Sequence, residues 1–161
     1  MKTVLAAAGL LFVSTAAFAQ SSPAAFTEKA ASGGMFEIQS SEMILKDGAT
    51  DPKVKEFATQ MIADHKKAAA DLKAAAEKSG VSVPTTLASK EATKLKQLAE
   101  ETGDKQKLYL TQQMLAHNDA VVLHRSYAEA GTDASLKAYA EKALPVLEEH
   151  SKHVDMLNPA M

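Results

Sequence analysis

The chain has 161 residues, with 18 basic against 20 acidic side chains, no Cys and no Trp. Both signs of charge are mixed along its length, which excludes the broad basic surface that nucleic acid or an anionic membrane demands. Without Cys no disulfide can form, so stability in any compartment rests on packing.

The first element reads as an export signal. Lys2 gives a short positive start, residues 4–13 form an apolar run, and Ala17-Phe18-Ala19 has the small-x-small pattern that signal peptidase cuts. Residues 1–19 are therefore expected to be removed, leaving Gln20 as the first residue of the mature protein. The apolar run falls short of the roughly 20 residues that span a bilayer, and no later segment is apolar enough to do so. A periplasmic protein is expected, free or held at the outer membrane by a partner. Residues 20–161 suit one domain with a proper core.

Few Gly and Pro, with abundant Ala, Lys, Leu and Glu, predict helices throughout. The first, over residues 24–46, is closed by Asp47-Gly48, where Gly can take the left-handed position. Asp51 caps the second, with Pro52 in its first turn, and Gly80 stops it after Lys78. Residues 81–88, with Pro84, Thr85 and Thr86, form a connector. A short helix over 89–101 follows and ends before Gly103. Asp104 opens the next long helix, which runs to Ala130 before Gly131, and Thr132 or Asp133 opens the last, to Leu157. Pro145 within that helix frees the carbonyl of Glu141 and is expected to bend the axis. The fold class is all-α: an antiparallel four-helix bundle of ferritin-like type, with a short extra helix between the second and third long helices, lying across one end.

Apolar residues in the second helix (Val54, Phe57, Met61, Ala68, Leu72) and the last (Leu136, Ala140, Ala143, Leu147, Val154, Leu157) recur in steps of three and four, marking one buried face each. Polar residues interrupt these seams. His65 lies within the stripe of the second helix with Asp64 at its edge, and His150 occupies a seam position in the last. Leu110, Met114, His117, Val121, His124 and Ala128 share a row, while Leu108, Leu115 and Val122 form a competing row on the same helix. In the first helix Glu37 sits among small residues, where another helix can approach closely.

Counted from the joining turns at 1.5 Å per residue, Glu37, His65, His117 and His150 fall within about 10 Å of one another along the bundle. One buried Glu and three His need neutralising by mutual hydrogen bonds, by water or by a metal, since isolated buried charge is costly. Such donors suit Zn²⁺, Fe²⁺ or Cu²⁺. Asp64 is the further ligand candidate, with His124, Glu149 and His153 as secondary ones, His124 and His153 being expected on solvated flanks. Glu-x-x-His occurs nowhere, which disfavours ferritin di-iron chemistry. There is also no nucleophile motif and no phosphate loop.

Phe26, Gly33-Gly34-Met35-Phe36-Glu37, Val54-Lys55-Glu56-Phe57-Ala58, Met61-Ile62-Ala63-Asp64-His65, Gln113 with His117, and Leu144-Pro145-x-Leu147-x-x-His150 together resemble a bacterial envelope family catalogued as domain of unknown function 4142. The resemblance covers nearly all of the mature chain. It implies a ferritin-like four-helix bundle in the periplasm or at the outer membrane, with recurrent polar positions at Glu37, Asp64, His65, His117 and His150. It implies no activity. Two functions stand side by side: a periplasmic bundle holding a metal ion for storage, buffering or stress protection, and a metal-free module that binds another envelope protein and uses the polar layer to fix helix register. An enzyme is the weakest third.

Overall fold

The computed structural model describes residues 22–158, so the expected leader and the cut before Gln20 lie outside the described residues. Within them are five helices and no strand: α1 (Pro23–Leu45), α2 (Pro52–Lys78), α3 (Ser89–Glu100), α4 (Lys105–Ala130) and α5 (Ala134–Leu157).

Side-chain caps set the helix starts. Asp51, Asp104 and Asp133 accept hydrogen bonds from the backbone N–H of Lys53, Lys107 and Leu136 at 2.7, 2.9 and 2.9 Å, satisfying donors that no helical carbonyl can reach. Pro23 and Pro52 stand where a missing N–H costs nothing. At the end of α2, Gly80 adopts φ 65° while Val81 N–H bonds to Ala76 O at 2.9 Å and Gly80 N–H to Glu77 O at 3.3 Å. That pairing is the Schellman closure, and it needs a residue tolerant of the left-handed region. Gly48 was expected to close α1 in the same way. It does not: Lys46 ends the helix in right-handed geometry, and Asp47 turns the chain by accepting the Ala49 N–H at 2.9 Å.

Each long helix packs mainly against two others, α1 against α2 and α4, and α5 against α2 and α4. Two apolar clusters lie toward opposite ends. One joins Phe26 of α1 to Leu72 and Ala76 of α2, Tyr127 of α4 and Leu136 and Ala140 of α5. The other joins Ile44, Val54, Phe57, Met61, Tyr109, Leu110 and Val154. Burying each large side chain contributes roughly 1.5–3 kcal/mol, and the stacking of Phe26 on Tyr127 at 4.0 Å adds to the first cluster. The helix middles, where the polar seam residues lie, fall between these clusters.

The short helix lies along one flank, not across an end. Glu91 accepts from Ser32 Oγ at 3.3 Å, Lys94 sits over the Phe36 ring at 5.5 Å, and Leu98 joins the cluster of Ile44, so α3 follows α1 in the same direction. Its other side meets α4, where Gln112 Nε2 donates to Lys94 O at 3.0 Å and Lys90 pairs with Asp119 at 2.8 Å. One buried residue, Leu98, anchors it. α5 passes through Pro145 without interruption, the ring facing outward. None of the described helices is long and apolar enough to cross a membrane.

Candidate metal centre

Glu37, His65, His117 and His150 come from α1, α2, α4 and α5, and all four are buried. The ring centroids of His65, His117 and His150 stand 5.4–5.8 Å apart in pairs, and one ring nitrogen of each lies within 4.8 Å of the others. Gly34 of α1 packs beside His65, where a Cβ would stand in ordinary contact with Nδ1 at 3.9 Å.

Each imidazole is held from behind by one nitrogen. His117 Nδ1 lies 2.9 Å from Gln113 O, one helical turn back; a carbonyl only accepts, so Nδ1 carries the hydrogen and Nε2 keeps a lone pair. His150 Nε2 is 2.9 Å from Asp64 Oδ2, and His65 Nδ1 is 3.2 Å from Glu37 Oε2. The three nitrogens left over, His65 Nε2, His117 Nε2 and His150 Nδ1, are buried and have no hydrogen-bond partner among the described residues. Glu37 Oε1 is equally without a partner and lies 3.7 Å from His117 Nε2, facing the same space.

Burial governs the charges. Desolvation pushes the Glu37 carboxyl up to about 8, with Lys94 pulling it down and Glu91 pushing it further up. Desolvation also lowers His117 to about 4, against the bond to Gln113 and with the help of His150. His65 falls well below its ordinary value, first through desolvation and then through His117, His150 and His124. Glu37 and His65 thus meet as neutral groups at pH 7. In His117 and His150 the nitrogen bound to Gln113 O or Asp64 Oδ2 leaves the other without a partner. This arrangement, one nitrogen fixed by an acceptor and the other free, is how proteins orient histidines on a metal.

The residues singled out in the sequence divide into three groups. His65, His117 and His150 have metal-ligand spacing, while Glu37 and Asp64 brace two of them from behind. Glu149 is exposed and points away, and half-buried His153 packs its ring edge-on to Phe57 at 5.0 Å. His124 departs from expectation: it is 4% exposed rather than solvated, because α4 turns the row of His117 inward and leaves Leu115 and Val122 of the competing row exposed. It does not belong to the three-histidine group. Sequence patterns missed Lys94 and Glu91, the charges that act on Glu37, and the backbone acceptor behind His117.

A cavity of about 1210 Å³ opens beside the centre, with Glu37, His65 and His150 in its lining.

The model of a family described as a domain of unknown function, DUF4142, matches residues 12–157, and the chain belongs to that family. No curated protein and no solved structure matches it.

Proposed function

We propose that this member of the DUF4142 family binds a divalent transition-metal ion, Zn²⁺, Fe²⁺ or Cu²⁺, through His65 Nε2, His117 Nε2 and His150 Nδ1, with Glu37 Oε1 completing the site. The observation that carries the reading is a cluster of three buried histidines from three helices, each with a nitrogen within 4.8 Å of the others and each with one ring nitrogen lacking a partner, and beside them the unpartnered Glu37 Oε1, 3.7 Å from His117 Nε2. Leaving each unpaired costs about 1–3 kcal/mol, and one ion would satisfy all four. Metal–nitrogen bonds of about 2.0–2.1 Å bring tetrahedral ligands to roughly 3.4 Å from one another, so nitrogens within 4.8 Å need only small side-chain rotations to close. A bound cation would also return Glu37 to its ionised form.

The neighbour relations of the helices support an antiparallel four-helix bundle of ferritin-like type, in which α3 carries the chain back along the flank so that α4 starts beside the α1–α2 turn. Asp51 N–H bonding to Gln106 Oε1 at 2.7 Å agrees with that placement. The signal pattern of residues 1–19 supports export to the periplasm, where an accessible histidine site would store or buffer metal or protect against metal stress.

Elemental analysis of untagged protein purified from the periplasm tests the reading. One equivalent of metal on a chain beginning at Gln20 is expected. Metal-free protein that also takes up none of the three ions at neutral pH would leave the polar layer a structural device in a module that binds another envelope protein.

A further inference from the structure

Two buried side-chain hydrogen bonds join α1 to α4 among the described residues, and one of them stands a single turn from the histidine cluster. Gln113 Nε2 donates to Ser40 Oγ at 2.8 Å, and both residues are fully buried. The one hydroxyl hydrogen of Ser40 goes to Phe36 O at 2.7 Å, so Ser40 can only accept from Gln113. That turns the amide nitrogen of Gln113 toward α1 and leaves its Oε1 buried without a partner.

The place of this bond gives it a consequence. Ser40 lies three residues after Glu37 on α1, and Gln113 lies four before His117 on α4, with its carbonyl 2.9 Å from His117 Nδ1. The bond therefore tethers the turn that carries Glu37 to the turn that carries His117. Glu37 Oε1 stands 3.7 Å from His117 Nε2, near the roughly 3.4 Å between two donors on one tetrahedral ion. No hydrogen bond among the described residues holds Oε1 itself, so its position depends on where α1 stands against α4. The other bond between these helices, Ser41 to Tyr109 at 2.9 Å, lies a turn further along α4.

Folding alone gives no reason for a glutamine here. The bond that Gln113 makes is offset by the acceptor it strands. A leucine of similar size would remove the orphaned Oε1 and strand no donor, since Ser40 keeps Phe36 O.

Building on the metal reading, we propose that Gln113 and Ser40 are positioning residues whose tether keeps Glu37 among the ligands of the ion. With the tether cut, α1 settles without regard to His117, Glu37 leaves the set, and three histidines hold the ion alone.

The test is a titration of the mature, metal-free protein with Co²⁺, whose visible absorption reports its ligands, with affinity taken by competition against a chelator. Glu37→Leu is expected to change the wild-type spectrum and weaken binding. Gln113→Leu and Ser40→Ala, which cut the tether from either side, should each reproduce that changed spectrum and lose about 10–100-fold in affinity, with circular dichroism unchanged. Adding Gln113→Leu to Glu37→Leu should cost nothing further, because a residue that acts through Glu37 has no effect once Glu37 is gone. Tyr109→Phe breaks the other bond between the same helices and should keep the wild-type spectrum. A wild-type spectrum in either tether variant, a changed one in Tyr109→Phe, or a further loss in the double variant would overturn the proposal and leave the metal reading standing. So would a Glu37→Leu protein that matches wild type, or failure of both tether variants to fold, which would make the bond purely structural. Wild type that takes up no Co²⁺ overturns the metal reading and this proposal together.

Discussion

His150 Nε2 lies 2.9 Å from Asp64 Oδ2, tying α5 to α2 at the edge of the histidine cluster. Gln60 Nε2 donates to the same oxygen at 2.7 Å from one turn back. The carboxylate is thereby held from two sides, and the hydrogen stays on His150 Nε2. His150 Nδ1 is left to face His65 and His117 with its lone pair.

Asp64→Ala should therefore weaken metal binding without dismantling the protein. Loss of the acceptor behind a metal-bound histidine typically costs 10–100-fold in affinity. The Asp64 side chain is 29% exposed, so the change in folding stability should stay below about 1 kcal/mol. Competition against a chromogenic chelator measures the first and urea denaturation the second. Unchanged affinity would remove Asp64 from the account.

Asp133 ties the bundle together at its other end. Its Oδ1 accepts the Leu136 N–H at 2.9 Å and the Ser79 hydroxyl at 2.6 Å, capping α5 and holding the end of α2 to it. Asp133→Ala should cost about 1–2 kcal/mol, mostly the lost cap, seen as a lower urea midpoint with unchanged slope. A change within about 0.5 kcal/mol, the spread of ordinary surface substitutions, would show the cap to be dispensable.

The metal-free protein should be most stable near pH 6.5. Burial raises Glu37 from 4.5 to about 8. The folded state then keeps a proton that the unfolded chain releases, and stability falls as pH rises across that window. His117, lowered from 6.5 to about 4, and His65, lowered well below 6.5, act in the opposite sense. The unfolded chain takes up protons that they refuse, so their contribution is lost as pH falls below about 6.5. Below that value two histidines outweigh one carboxyl; above it only Glu37 acts. Melting temperatures at pH 5, 6.5 and 8 should peak at the middle value, and a steady rise from 6.5 to 8 would contradict the assignment.

The helix boundaries were legible because Asp51, Asp104, Asp133 and Gly80 carry local chemistry that acts within a turn of itself. The polar layer was legible for a similar reason: Glu37, His65, His117 and His150 break apolar stripes whose phase is fixed by their own helices. What depends on a neighbour was not. A connector of given length can cross an end or follow a flank, and only contacts with Ser32, Phe36 and Gln112 decide that α3 follows the flank. α4 offered two apolar rows, and the packing of α1 and α5 chose the one containing His117, which buried His124 as well. The acceptor behind His117 is a backbone carbonyl and leaves no trace in side-chain pattern.

Thermal unfolding with and without added Zn²⁺ tests the central claim most directly, comparing wild type with the double variant His65→Ala/His117→Ala. A ligand that binds only the folded state stabilises it by about 2.7 kcal/mol at a hundred times its Kd, worth several degrees in a domain of this size. The account predicts that Zn²⁺ raises the melting temperature of wild type by that amount and leaves the folded double variant unmoved. Equal response of the two proteins, or no response of wild type to Zn²⁺, Fe²⁺ or Cu²⁺, would contradict a metal centre at these histidines.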